Sequence, residues 1–203
     1  MPLDAYAKIL AGIRSVKQLA AMNPIENEIN LGANVSPQEI REATRKGMQM
    51  ALTLPVTSQL WEPLKMLCWK QPFASLMLPP FSKVETRSKP IKFRGLVLIV
   101  ATQAPYKDRE LIKLCGGEQA LWLESQVAGH DGYMNGCAIG IGYLHYCRHL
   151  NDGDKTYIKK EQHTGRYAWL FKNVFAIEPI EMKGFQGWRN ASPDLRSQIK
   201  LLP

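Results

Sequence analysis

Three charged residues in the middle of the chain have side chains that could act on a phosphate group or a nucleobase. Arg87 and Arg94 carry planar guanidinium groups, whose donors are spaced to hold a phosphate or the edge of a base. Glu85 lies two residues before Arg87 in a predicted short strand, so the two side chains should share one face. A carboxylate there could accept a hydrogen bond, take up a proton, or simply form a buried ion pair with the arginine.

Aromatic residues and a lysine elsewhere in the chain could assist the same chemistry. Trp69, Phe185 and Trp188 have ring faces on which unpaired bases could stack, although tryptophan is more often part of a core. Lys183 would supply a point charge. These residue types are typical of a nucleic-acid or nucleotide site, and they also occur in ordinary cores and surfaces.

The sequence has no HExxH, Walker or Rossmann motif, so no standard catalytic signature indicates an enzyme class. His145 and His149 are four residues apart, and we interpret them as a partly exposed pair rather than as metal ligands. The cysteines form no CxxC pair, so we expect reduced and buried thiols, no metal site and no cofactor. They are Cys68, Cys115, Cys137 and Cys147.

The chain of 203 residues has a net charge of +8, and this charge is unevenly distributed. Residues 1–64 contain six basic and six acidic residues, so the whole excess lies within residues 65–203. A basic module favours a polyanion as its partner, and nucleic acid is the commonest polyanion. A merely basic soluble surface is the alternative interpretation.

Hydrophobic periodicity predicts helices at the beginning of the chain, over residues 3–22 and 36–51. The second helix has a strong predicted start. Ser36 can cap it, Pro37 suits the first helical position, and Glu39 completes a capping box.

From residue 64 onwards, the pattern changes to strands separated by short helices and turns. Several non-adjacent strands suggest a small, curved mixed sheet or barrel. The chain is therefore predicted to divide into a helical extension over 1–60 and an α+β domain over 61–203. The predicted strands are 64–69, 83–87, 96–101, 136–147, 167–170 and 174–180, and the predicted helices of this part are 73–77, 108–116 and 118–127.

The sequence predicts neither a membrane protein nor a secreted one. No apolar run approaches the ~20 residues that a membrane span needs. The charges of the N-terminal segment are scattered, whereas a signal peptide groups its cations before an unbroken apolar core. We therefore expect an intracellular, cytoplasmic protein.

Three groups of motifs occur in order along the chain. The first is WKQPFASL over 69–76, and the second is VETRS over 84–88 followed by FRG over 93–95. The third group is GRYAW over 165–169, IEPI over 177–180 and KGFQGW over 183–188. Together they resemble the ASCH family, named for its homology to an activating signal cointegrator. The resemblance spans about residues 64–190 and implies a PUA-like small β-barrel with flanking helices and a role in RNA metabolism.

The resemblance also implies a basic ligand cleft at the end of the barrel. Its walls would be the turn at Gln71, the strand that carries Arg87, and the loop that begins at Lys183. Arg94 would also belong to these walls, so the ligand-binding residues that the resemblance implies are Gln71, Glu85, Thr86, Arg87, Arg94, Lys183 and Gln186. Trp69 joins them as a predicted ligand-binding residue because its ring could stack on a base.

Some similar small proteins are hydrolases that act on an acetylated cytidine nucleoside, and others cleave RNA. The amidohydrolases use a lysine five residues before the arginine that corresponds to Arg87, and a threonine two residues before it. Ser82 and Glu85 stand at those positions here, because Lys83 and Thr86 are each displaced by one residue. In a strand, such a displacement turns a side chain to the opposite face, which argues against that chemistry. The acid–base candidates for a hydrolase are Glu85, Lys83 and Lys183.

The leading hypothesis is an ASCH/PUA-like module that binds RNA, another nucleic acid or a nucleotide-like ligand in a basic cleft. The first alternative is a hydrolase that acts on a modified nucleoside or on RNA. The second alternative is an assembly protein that interacts through its N-terminal helices. The excess of positive charge over residues 65–203 favours the leading hypothesis, the binding module, because it attracts a polyanion.

Overall fold

The computed structural model describes residues 36–53, 63–81, 84–128 and 134–203. The helix predicted over 3–22 and the candidate residue Lys83 lie outside these ranges. Within them, no helix is both long and apolar enough to span a membrane. The helices are α1 (Pro37–Thr53), α2 (Phe73–Leu76), α3 (Asp108–Cys115), α4 (Gly117–Ala128) and α5 (Pro193–Gln198). The strands are β1 (Lys65–Trp69), β2 (Val84–Arg87), β3 (Gly95–Ala101), β4 (Cys137–His149), β5 (Tyr167–Glu181) and β6 (Arg189–Asn190).

The six strands of the described residues form one mixed sheet with the order β2-β5-β4-β3-β1-β6. Strand β1 runs parallel to β3, and every other neighbouring pair is antiparallel. The predicted α+β class is thereby confirmed. The predicted barrel is not confirmed, because no backbone pairing joins the edge strands β2 and β6 in the part of the chain that is described.

The central strand β3 is buried on both faces, as its apolar sequence predicts, and all seven of its residues are buried. Its side chains alternate between two cores. Leu98 belongs to a core shared with α1 and the C-terminal segment, whereas Val97 belongs to a core that contains Trp69 and Trp169. Because successive side chains of a strand point to opposite faces, this one strand contributes to both cores.

The strands predicted over 167–170 and 174–180 are one continuous strand, β5, so this prediction was wrong. Asn173 has a φ of 50°, and the register shifts there so that two residues of β5 oppose Gly142 of β4. Such a β-bulge bends a strand while the pairing on either side continues. The bend also requires a glycine opposite, since a Cβ on Gly142 would lie 2.9 Å from Val174 Cγ2.

Helix α1 begins where the capping box predicts. The Glu39 N–H donates to Ser36 Oγ at 3.2 Å, and the Ser36 N–H donates to Glu39 Oε2 at 2.8 Å. The helix then continues to Thr53, two residues beyond the predicted end. The local sequence thus determines the start of α1, and tertiary contacts support its last turn.

Through these tertiary contacts, α1 packs against the sheet and shares a hydrophobic core with it. Met48 and Leu52 are buried in the core that also contains Leu98. At the end of the helix, Arg196 Nη2 donates to Ala51 O at 2.7 Å and its Nε donates to Leu52 O at 3.2 Å. A buried cation here satisfies two carbonyls at the negative end of the helix. The domain boundary near residue 60 stays a prediction, although α1 shares a core with the sheet.

Replacing Arg196 with alanine should lower the free energy of unfolding by about 2–4 kcal/mol, because two buried carbonyls lose their donor. Urea unfolding followed by tryptophan fluorescence measures the change. The control is Lys200→Gln, which removes a cation whose side chain is 70% exposed, and which should alter stability by at most about 0.5 kcal/mol. Equal stability of Arg196→Ala and the wild type would show that α1 does not depend on this contact.

Candidate functional site

A cleft of about 570 Å³ opens between β1, β2, β5 and the loop that precedes β6. Strand β2 is at one edge of the sheet and β1 lies next to the other edge, so the sheet must curl for both to line one cavity. Five of the predicted site residues line this cleft. They are Trp69, Glu85, Thr86, Arg87 and Gln186.

Strands β1 and β2 do not pair with each other in the described sheet, and side chains bridge the gap between them, which we call the seam. Trp69 Nε1 on β1 donates a hydrogen bond to Glu85 Oε2 on β2 at 2.7 Å. Arg87 Nη2 on β2 donates to Cys68 O on β1 at a longer distance of 3.4 Å. We call Trp69, Glu85 and Arg87 the seam cluster, because they connect two strands that have no backbone pairing with each other in the described sheet.

Glu85 is the buried charge of the seam cluster, with only 12% of its side chain exposed. Its Oε1 lies 2.6 Å from Arg87 Nε, in an ion pair. Burial raises the pKa of the Glu85 carboxyl above its ordinary value of 4.5, and the charge of Arg87 and the N–H of Trp69 oppose that rise. Both carboxylate oxygens are therefore engaged by groups of the protein itself.

The guanidinium group of Arg87 lies between two tryptophan rings. Its Cζ is 5.9 Å from the ring centroid of Trp69 and 5.8 Å from that of Trp169. Trp169 is itself fixed, because its indole N–H donates to Lys89 O at 3.0 Å and its ring stacks on Trp188 at 5.6 Å. Since 35% of the Arg87 side chain is exposed, the guanidinium group is both held in place and open to the cleft.

The ring faces predicted for stacking are not equally accessible. Trp69 is only 3% exposed, so its ring belongs to the core, which was the alternative interpretation of this residue. Phe185 and Trp188 are half-buried and line the cleft. These two rings, rather than Trp69, are therefore the candidates for stacking against a ligand.

Sequence reasoning missed Arg166, which also lines the cleft. Its Nη2 donates to the carbonyl oxygen of Thr86 at 3.0 Å and to Thr86 Oγ1 at 3.3 Å. Its Nε is buried and has no hydrogen-bond partner among the described residues. The pairing of β2 with β5, in which Thr86 lies opposite Ala168, brings this cation to the cleft. The only signal in the sequence is the position of Arg166 in the GRYAW motif.

A second missed cation is Lys70, which follows Trp69 directly and lines the cleft. Its Nζ lies 3.6 Å from Glu110 Oε2 and 4.8 Å from the ring centroid of Tyr106. Burial raises the pKa of the Tyr106 phenol, so the hydroxyl stays protonated at neutral pH and can donate a hydrogen bond. The cleft wall at this end therefore combines a cation with a neutral donor.

Gln71, predicted as a ligand-binding residue, is fully buried and is not in the cleft wall. Its Nε2 donates to Met134 O at 3.1 Å, and its Oε1 accepts the Ser75 N–H at 3.0 Å. The following peptide bond, to Pro72, is cis. Because both ends of its amide are engaged, Gln71 fixes the turn that leads into α2.

Two further predicted residues are not brought to the cleft wall. Arg94 Nη1 donates to Phe93 O at 2.7 Å and to Ile91 O at 2.9 Å, so this guanidinium group serves the local backbone. Lys183 is exposed and lies outside the cleft lining. The role of Lys83 stays a prediction, because the residue is outside the described ranges.

No group of three or more histidine, cysteine or acidic side chains within the described ranges could hold a metal ion. All four cysteines are free thiols: Cys115 and Cys137 are buried, and Cys68 and Cys147 are half-buried. The ring of His149 packs on Tyr167, with their centroids 4.3 Å apart. The cleft lining contains guanidinium, ammonium, carboxyl and aromatic groups, together with the thiol of Cys68.

No family model matches the sequence, and no curated protein matches it. Among solved structures, the chain is similar to the crystal structure of ASCH from Zymomonas mobilis and to that of a point mutant of the same protein. Both are 14% identical to this chain and match it with a TM-score of 0.44. Each match covers 68% of this chain. The matches also cover 96% of the unaltered protein and 100% of the mutant. Both of these neighbours are named as ASCH proteins, which is also the family that the sequence motifs resemble.

The raised pKa of Glu85 predicts a specific dependence of stability on pH. The folded protein holds the proton of this carboxyl more tightly than the unfolded chain does, which stabilises the fold at low pH. That contribution is lost as the pH rises from the ordinary value of 4.5 through the higher value of the folded state. The wild type should therefore lose stability relative to Glu85→Gln over this interval, as measured by urea unfolding at a series of pH values.

The control for this experiment is Glu42→Gln. The stability difference between the wild type and this variant should change with pH in the opposite direction. A hydrogen bond from Arg45 lowers the pKa of Glu42 to about 2. Its contribution to stability is present above the ordinary pKa and is lost as the pH falls towards 2. If the wild type instead gained stability relative to Glu85→Gln with rising pH, the attraction of Arg87 would outweigh burial at Glu85.

Proposed function

We propose that the cleft binds one nucleotide of a single-stranded RNA, or a chemically similar nucleotide-like ligand. The observation that carries the proposal is the fixed orientation of Arg87, which Glu85 and two tryptophan rings hold within a cleft of about 570 Å³. Cavities of this size are usual for small-ligand sites. A guanidinium fork that is already oriented loses little freedom when it binds a phosphate or a base edge.

The charges around the cleft favour an anionic ligand. Arg87, Arg166 and Lys70 contribute three cations to the lining, and Glu85 is the carboxylate paired most closely with them. Glu110, which faces Lys70, has 48% of its side chain exposed, so solvent screens its charge. Positive charge is therefore in excess where a phosphate would lie.

The aromatic residues of the cleft suit an unpaired base. Phe185 and Trp188 offer half-buried rings in the lining, and Tyr106 adds a hydroxyl donor. Stacking of a base on an aromatic side chain is worth about 1–3 kcal/mol and tolerates any base, because every base has a π-face. A base held in this way leaves its phosphate within reach of the cations.

The geometry of Glu85 favours binding over hydrolysis. A general acid or base must reach the proton that it transfers. Here Glu85 Oε2 accepts from Trp69 and Oε1 is paired with Arg87, so both oxygens are already engaged by the protein before a substrate binds. We infer that Glu85 acts as a positioning residue, which orients Arg87 towards the ligand.

The test of the binding site is Arg87→Ala, measured with a fluorescein-labelled trinucleotide RNA by anisotropy. Loss of a bidentate contact should weaken binding by about 1–3 kcal/mol, which is roughly a 5- to 150-fold change. Arg87→Lys keeps the charge and loses the fork, so it should recover only part of the affinity. Lys200→Gln, which removes a surface charge paired with Glu178, is the control and should bind like the wild type. Unchanged affinity in a folded Arg87→Ala protein would refute this site.

A parallel experiment with Glu85→Gln separates a binding module from the hydrolase alternative. We expect a modest loss of affinity and no turnover of RNA or of an acetylated cytidine nucleoside by either protein. A positioned acid or base is typically worth about 100-fold or more in rate. Hydrolysis by the wild type that disappears in Glu85→Gln while binding persists would therefore replace the binding module by an enzyme.

A further inference from the structure

We propose that the ligand is an extended single strand, which leaves the cleft along the β6 edge between two rows of rings and cations, one on each face of that edge. This exit strip consists of Lys65, Phe93, Phe185, Trp188 and Arg189. The inference rests on the proposed function and extends it, because it adds a second contact region and requires a strand of several nucleotides. It therefore distinguishes an oligonucleotide partner from a free nucleotide.

The aromatic rings of the strip are continuous with the cleft. Trp188 lines the cleft, stacks on Trp169, and has its ring centroid 5.7 Å from that of Phe93. Lys65 Nζ lies 6.0 Å from the ring centroid of Phe93. Trp188 thus belongs both to the cleft and to the strip, and it connects the two regions.

Arg189 and Phe185 form a second row of the strip, on the opposite face of the edge. Phe185 packs against the core that contains Leu98, whereas Phe93 and Trp188 pack against the core that contains Trp69. The Arg189 guanidinium lies over the Phe185 ring, 5.0 Å from its centroid, and Phe185 also lines the cleft. Burial raises the pKa of the Cys68 thiol, and Arg189 and Arg87 both lie close enough to oppose this electrostatically. Arg189 on the β6 edge and Arg87 in the cleft therefore both act electrostatically on the same thiol.

The strip is placed on an open edge of the sheet. Strand β6 pairs with β1, with Asn190 opposite Lys65 and Arg189 opposite Met66. Both residues of β6 are exposed, and β6 is the last strand in the order of the described sheet. A chain-like ligand can therefore follow this edge without meeting another strand of that sheet.

The charge of the surrounding segments identifies the chemistry of the partner. Segments 65–71, 87–94 and 183–190 together contain eight lysines and arginines and no aspartate or glutamate. The charge of these three segments, +8, is as large as the net charge of the whole chain. Cations that follow a phosphate backbone, interspersed with rings that stack on bases, are the features of single-strand binding. A duplex would offer the phosphates and hide the base faces, so it fits the strip less well.

The experiment compares oligouridine RNAs of three and eight nucleotides, each labelled with fluorescein, by anisotropy at several salt concentrations. The eight-nucleotide RNA should bind the wild type about tenfold or more tightly, since one additional stacked base can supply that gain. The double variant Lys65→Gln/Arg189→Gln should lose part of this gain, because two phosphate contacts are removed while the rings remain, and it should keep its affinity for the trinucleotide. Its salt slope on the longer RNA should be smaller by about 1.4, at roughly 0.7 for each lost contact on a single strand.

The matched control is Lys46→Gln/Lys200→Gln, which removes the same charge from side chains that are 48% and 70% exposed and away from the cleft lining. It should behave like the wild type. Trp188→Leu tests the rings and should also reduce the gain with length. Near-ultraviolet circular dichroism checks the fold of each variant, and crosslinking of a thiouridine octamer to the wild type should label the peptide that contains Trp188.

The outcomes separate this inference from the proposed function. Equal affinity of the wild type for the two RNAs would overturn the exit strip and leave the cleft proposal standing. Tighter binding to a duplex of equal length, or to phosphatidylserine vesicles, would also overturn it, because a stacked single strand would not be the preferred partner. Failure of the cleft itself would appear as trinucleotide binding that does not change in Arg87→Ala.

Discussion

A buried carboxylate connects two strands that do not pair with each other in the described sheet, and its contacts depend on the curl of that sheet. Glu85 stands on an edge strand, yet its partner Trp69 belongs to a strand near the opposite edge, and a hydrogen bond of 2.7 Å connects them. A charge taken out of water is costly unless hydrogen bonds and an opposite charge compensate it. Arg87 supplies the opposite charge from the same strand, and Trp69 supplies the hydrogen bond only if the sheet is curled. The cleft is the space that this curled arrangement leaves open.

The long strands must bend to allow that arrangement. The bulge at Asn173 turns β5 without ending its pairing, and Gly142 on β4 leaves room for the side chain of Val174 at the bend. The strand β3 lies in the middle of the sheet and is buried on both faces. It therefore contributes both to the core that contains Leu98 and to the core that contains Trp69 and Trp169. Site geometry therefore depends on residues far from any ligand.

Local features of the fold could be predicted from the sequence, and features that depend on pairing could not. The capping box at Ser36 and the two-residue spacing of Glu85 and Arg87 act within one element, so their effects are visible in the sequence. The gap predicted between residues 170 and 174 does not occur, because pairing with β4 keeps the strand intact through Asn173. Arg166 has no local signal, since only the register of β2 against β5 brings it to the cleft.

The edge strand β6 has an effect that does not depend on any ligand. An exposed strand edge offers unpaired backbone groups on which another copy of the chain could add a strand. Here the edge is only two residues long, and one of them is the exposed Arg189. Two such edges would bring like charges together, and so short a strand offers few backbone groups for pairing. The same positive charge that would attract an anion therefore also opposes edge-to-edge aggregation of the protein.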